Sequence, residues 1–175
     1  MTNEKKDLRF EIKSIAEDGT FTGMAAVYGN TDLQGDVIEP GAFTRTLKDH
    51  NGEIKLLWQH DPSKPLGKGK ITDTSAGLQI EGRLALGITA ARDAYESLKA
   101  GIVDGLSIGY DVIRQNAKDG KRFLKELRLF EVSLVTFPAN PLATVTAVKS
   151  EDAEIAELSA IGGALYRLSR KVSWR

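Results

Sequence analysis

Strand-length stretches broken by turn residues fill most of this sequence, and that punctuation constrains the fold more than any single motif. Residues 8–16 and 20–28 each alternate apolar with polar side chains and meet at Glu17, Asp18 and Gly19, the pattern of a β-hairpin. A compact apolar run at 54–59 ends at His60, Asp61 and Pro62; proline disfavours helix at the residue before it, so His60 falls where a strand meets a loop. Arms at 67–72 and 77–84, joined through Asp73, Thr74 and Ser75, predict a second hairpin. A third pairs 106–114 with 122–136 across a turn at 116–120 and is stopped by Pro138 and Pro141.

Helix signals are fewer. Pro40 and Gly41 precede a short helix over 42–48 with Phe43 and Leu47 on one face. Residues 89–100 place Ala90, Ala94, Tyr95 and Leu98 on one stripe, with Gly101 as the stop. The core is expected to end near Val148. A last helix is expected over 151–170, acidic at its start and basic at its end, with Ile155, Leu158, Ile161, Leu165 and Leu168 aligned.

Composition narrows the function classes. At 175 residues the chain suits one domain, and with no cysteine that domain is held by packing alone, without disulfides, thiolate metal sites or cysteine nucleophiles. Twenty-four Lys plus Arg balance 24 Asp plus Glu, which removes the electrostatic case for a nucleic-acid or membrane-surface protein and leaves protein partners. No apolar run is long enough for a bilayer and no apolar stretch follows residues 1–7, so a cytosolic protein without a signal peptide is expected. There are two histidines and no H-E-x-x-H string, and no glycine loop suited to phosphate, so neither metal nor cofactor is expected. Asp32, Asp36 and Glu39 depart from the calcium-loop spacing and read as a solvated loop.

Three residues carry the chemical argument. Ser107 lies in GLSIG (residues 105–109), formally the G-x-S-x-G string of hydrolase nucleophiles. Here a helix precedes it, a strand follows, and no histidine comes after residue 60, so the hydrolase order is reversed and the string alone reads as a turn. His60 gives it weight: alternation puts it on the face of Leu56 and Trp58 at a strand end, where an imidazole suits proton transfer with a hydroxyl. Glu131 sits in an apolar strand, 127–135, whose faces are both hydrophobic, and a buried carboxylate needs a partner. Orienting the His60 ring is one solution; pairing with Arg128 or Arg114 is the other. Asp111, on the strand face of Ser107, and Asp104 are reserve acids, and His50 reads as an exposed helix end.

Taken together, four blocks resemble the prohead proteases of tailed bacteriophages: GMAAVYG (23–29) with the following D-x-x-G-D (32–36), WQHDP (58–62), GLSIGY (105–110) and EVSLVTFPANP (131–141). The resemblance spans residues 10–148. It implies an α+β, mainly β fold, an antiparallel herpesvirus-protease-like β-barrel, closed or nearly so, with surrounding helices. Residues 1–148 would form the protease domain and 149–175 a helical segment of the same domain, or a dimer or targeting extension. It also implies Ser107 as nucleophile and His60 as base. Herpesvirus enzymes use a second histidine as third member; none follows Ser107 here, so an acid must replace it, and Glu131 is the choice ahead of Asp111, Asp104 and His50. The arginine pair of the herpesvirus oxyanion loop is missing, so the oxyanion donors are unassigned, and backbone N–H groups could supply them. The implied function is a serine endopeptidase of phage head maturation. It would cleave scaffold and major capsid protein segments and itself inside the procapsid in the host cytoplasm, and would form a homodimer or otherwise self-associate. A non-enzymatic capsid-assembly or scaffolding factor with the same fold is the alternative.

Overall fold

In a computed structural model describing residues 17–147, the chain runs β1 (Thr20–Val27), β2 (Asp36–Ile38), α1 (Thr44–Asp49), β3 (Glu53–Trp58), β4 (Asp61–Asp73), β5 (Gly77–Leu84), α2 (Thr89–Lys99), β6 (Gly105–Lys118), β7 (Lys121–Val135) and β8 (Val145–Ala147). The expected first hairpin arm at 8–16 and the helix over 151–170 lie outside the described residues.

The strands form one curled sheet in the order β7-β3-β4-β5-β1-β8, with β2 and β6 also pairing β7. The sheet returns on itself where Gly105, at the start of β6, bridges Thr144 just before β8. Leu106 N–H donates to Ala143 O at 2.8 Å and Val145 N–H to Asp104 O at 2.9 Å, so a few backbone bonds close the barrel. The mainly β expectation holds, with one correction. The pairing is not antiparallel throughout, because β2 and β3 both run parallel to β7. Local alternation reveals strands but not the direction of partners far away in the chain.

Inside the curl, Phe21, Leu56, Leu66, Leu78, Ile80, Leu106, Leu124 and Leu134 are fully buried. The turns follow local chemistry. Asp119 and Gly120 both have positive φ and join β6 to β7 as a two-residue hairpin loop, tighter than the 116–120 turn expected. Helix α2 buries Ala91, Ala94, Tyr95 and Leu98. It ends at Gly101 (φ 65°), with Gly101 N–H on Leu98 O and Ile102 N–H on Ser97 O, the paired bonds of a Schellman stop.

The path of β7 matters most for the site. One edge pairs with β6 along its length; the other is served in turn by β2, by the segment running into α1, and by β3. Strand β2 covers residues 122–124, and Leu127 N–H then donates to Ala42 O (2.9 Å). Leu129 N–H donates to the buried Thr46 hydroxyl of α1 (3.1 Å), and β3 takes over at 131–134. Every stage satisfies backbone groups that burial would otherwise penalise.

Where β1 meets β5, Phe21 lies opposite Gly82, and its ring fills the space a Gly82 side chain would occupy. Gly82→Ala is therefore expected to destabilise the fold by roughly 1–3 kcal/mol, seen as a lower urea midpoint with unchanged slope; an unchanged midpoint would show that the ring is not held there.

Candidate active site

A bulge in β7 brings a carboxylate to the site. Tyr110 pairs with Leu129 and Gly109 with Glu131, so Phe130 has no opposite number on β6. One extra residue reverses the side-chain alternation. Leu127 and Leu129 point into the core before it and Val132 and Leu134 after it, which is why the strand reads as apolar on both faces. Glu131 and Ser133 consequently share the opposite face, buried to 8% and 0% exposure. Across β6, Ser107 pairs with Ser133 and Gly109 with Glu131. Directly opposed residues of an antiparallel pair have Cβ atoms about 4.5–5.5 Å apart, so Ser107 stands beside this polar pair.

The β3–β4 connection brings in the imidazole. Trp58 pairs with Asp61, leaving Gln59 and His60 as a two-residue hairpin loop with φ of 52° and 61°. Two left-handed residues are what such a turn demands, and a position that ordinarily favours glycine carries a histidine. The turn also overrides alternation. His60 does not lie on the face of Leu56 and Trp58 as the sequence predicts; it contacts Glu131 and Ser133, the register partners of Lys55 and Leu57.

His60 Nδ1 lies 2.7 Å from Glu131 Oε1, and Ser133 Oγ donates to Glu131 Oε2 at 2.7 Å. The backbone N–H of His60 in turn donates to Ser133 Oγ at 3.0 Å. An ionised carboxylate only accepts, so Nδ1 carries the hydrogen and Nε2 of the neutral ring has a free lone pair. His60 and Ser107 both line a cleft of about 690 Å³, although no direct hydrogen bond joins their side chains. The cleft lies between residues 25–27 of β1 and 106–110 of β6. Its rim is made of two loops latched together: Leu33 N–H donates to Ala139 O at 3.0 Å, and the Asn30 and Asn140 side-chain amides exchange bonds of 2.8 and 3.0 Å.

The other candidates have different positions. Arg128 pairs with Asp111, and Arg114 lies 3.7 Å from Glu126, so neither arginine takes Glu131 and Asp111 is already engaged. His50 caps the end of α1, exposed as expected, and Asp104 is exposed beside the barrel closure. The loop read as solvated is only partly so. Asp36 is buried to 1% exposure and pairs with Arg122, whereas Asp32 Oδ1 accepts the Gln34 and Asp36 N–H groups and Glu39 lies near Lys125. The three carboxylates thus serve separate partners. Tyr110, on the cleft wall, is no base near neutrality, since burial and the nearby Asp36 push its phenol up to about 12. Ser133 is the one member of the polar cluster that the sequence does not single out; its only signal is a hydroxyl two residues from Glu131 in an apolar strand.

Comparison with known proteins gives a consistent result. The Caudovirus prohead serine protease family matches residues 6–157. The prohead protease of Enterobacteria phage HK97 is 34% identical over 149 residues, covering 81% of this chain and 66% of that protein. The prohead protease of Escherichia phage T5 is 30% identical over 149 residues, covering 79% of this chain and 70% of that one. A capsid polyprotein of Pseudomonas phage PAJU2 is 32% identical over 157 residues, which cover 82% of this chain and 22% of that much longer protein. Among solved structures, KSHV protease in complex with a hexapeptide phosphonate inhibitor superimposes with a TM-score of 0.51 at 15% identity, covering 72% of this chain and 63% of that one. That likeness concerns the fold.

The electrostatics of the histidine are testable. The bond to Glu131 raises the His60 pKa above its ordinary 6.5, burial opposes the shift, and the carboxylate charge adds to it. A raised folded-state value means that the associated stability is fully present below the unfolded pKa and is lost as pH rises through the folded one. Titrated by NMR, His60 is expected to have a midpoint above 6.5 that falls in Glu131→Gln, where the amide still accepts a bond but carries no charge. An unchanged midpoint would mean that Glu131 does not govern the ring.

Proposed function

The chain belongs to the caudovirus prohead serine protease family, and from that premise we propose that it is a serine endopeptidase of phage head maturation, with Ser107 as nucleophile, His60 as general base and Glu131 as the acid that orients it. The observation that carries this reading is the His60 Nδ1 to Glu131 Oε1 bond of 2.7 Å, which fixes the tautomer and leaves Nε2 to serve a hydroxyl in the shared cleft.

In this mechanism His60 Nε2 takes the Ser107 proton as Oγ attacks a peptide carbonyl carbon. Glu131 stabilises the imidazolium that forms, and His60 then gives its proton to the leaving amine, whose bond to the carbonyl breaks. Water, deprotonated by the same imidazole, adds to the acyl carbon; the acyl–Oγ bond breaks, and the imidazolium returns its proton to Ser107 Oγ. Backbone N–H groups around the cleft supply the oxyanion donors. Serine-to-base bonds are often long in a free enzyme and tighten on the substrate, which accords with the open Ser107–His60 geometry. The substrates are segments of the scaffold and major capsid protein and of the chain itself, cleaved inside the procapsid.

Ser107→Ala and His60→Ala are each expected to abolish cleavage of a capsid precursor protein, followed on gels, while leaving the circular dichroism spectrum intact. Glu131→Gln is expected to slow turnover by about 10²- to 10⁴-fold, and the acid limb of kcat/KM should lie above pH 6.5, because only neutral His60 accepts the proton. Undiminished cleavage by either alanine variant would refute the assignment, and wild-type rates in Glu131→Gln would move the orienting role elsewhere.

A further inference from the structure

Ser133 is fully buried between two core side chains, Val132 and Leu134, yet its hydroxyl is engaged in both directions. It donates to Glu131 Oε2 at 2.7 Å and accepts the His60 backbone N–H at 3.0 Å. The directions follow from chemistry: an N–H can only donate, and an ionised carboxylate can only accept. One hydroxyl therefore joins the two groups whose relative placement sets the bond from Nδ1 to Oε1.

The carboxylate is confined from its other side as well. A Cβ on Gly109, its partner across β6, would collide with Oε1, so the absent side chain is the space the carboxylate occupies. The turn that presents His60 needs an anchor too. Gln59 and His60 both hold positive φ, a backbone state that non-glycine residues keep only when their surroundings impose it. Part of that hold comes from Gln59, whose N–H donates to Leu134 O and whose Nε2 donates to Thr136 Oγ1. At His60 the backbone hold is Ser133.

Resting on the proposed reading of His60 and Glu131, we infer that Ser133 is a positioning residue of the catalytic base: its hydroxyl fixes the Glu131 carboxylate and anchors the left-handed turn carrying His60. A serine that merely satisfied a buried N–H would contribute to stability alone. A positioning serine also sets the imidazole-to-carboxylate bond and, through it, the turnover rate.

The experiment compares Ser133→Ala, Ser133→Thr and Gly109→Ala with the wild type. It measures kcat and KM for capsid-precursor cleavage and the His60 Nδ1–H resonance in protein labelled with ¹⁵N-histidine. Ser133→Ala is expected to lower kcat about tenfold, to leave KM within about twofold, and to broaden or shift the Nδ1–H resonance. Ser133→Thr, which keeps the hydroxyl, is expected to retain the resonance and most of the rate. Gly109→Ala leaves Ser133 in place, displaces the carboxylate from the opposite side and is expected to lose the same resonance, which keeps the test decisive if Ser133→Ala does not fold. A Ser133→Ala protein of lower melting temperature but wild-type kcat and resonance would overturn the inference, as would Ser133→Thr matching Ser133→Ala or Gly109→Ala matching the wild type. Ser107→Ala is measured in parallel. Cleavage by that variant would defeat the underlying reading, whereas an inactive Ser107→Ala beside a wild-type Ser133→Ala would defeat only the role given to Ser133.

Discussion

A carboxylate buried on a strand has to be given hydrogen-bond donors, and the site is organised around how Glu131 obtains them. Unpartnered, such a charge costs several kcal/mol or is neutralised by a proton. Among the described residues no arginine reaches it; a histidine ring and a serine hydroxyl do, one on each oxygen. The rest follows from that arrangement. The ring is held in one tautomer, its pKa is raised, and the turn that carries it adopts a backbone otherwise left to glycine or asparagine.

The barrel makes this possible through β7. Its second edge is covered successively by β2, by the segment running into α1 and by β3, while one extra residue at Phe130 turns Glu131 and Ser133 away from the core. Near its start, the pair between Arg122 and buried Asp36 ties the cleft-lining loop to the same strand. The cleft itself lies between β1 and β6, which do not pair with each other. Nucleophile candidate, base candidate and cleft therefore depend on one strand and its bulge.

Much of this was legible in the sequence, and the exceptions share a physical origin. The β4–β5 and β6–β7 hairpins and α2 rest on local alternation, turn residues and a glycine stop, and they lie close to where those signals put them. His60 was readable as a strand-end residue but not in its facing, because two consecutive positive φ angles break the alternation from which the face was inferred. Glu131 was visible as a misplaced charge, whereas its strand looked apolar on both sides only because the bulge shifts the core positions from Leu127 and Leu129 to Val132 and Leu134. Asp36 looked solvated since its partner, Arg122, lies 86 residues away. The parallel pairings of β7 and the role of one serine among apolar neighbours depend likewise on long-range register, which no local pattern encodes.

The central claim is that Ser107 is the group the His60–Glu131 pair activates. The most direct test is to treat the folded protein with a peptidyl phosphonate diester and map the adduct by mass spectrometry. Attack by an activated serine displaces an aryloxide and leaves a stable phosphonyl ester on the attacking oxygen. The account predicts a single adduct on Ser107, absent when His60 is replaced by Ala. Labelling of a different serine, or none at all in a protein that cleaves capsid precursor, would contradict it.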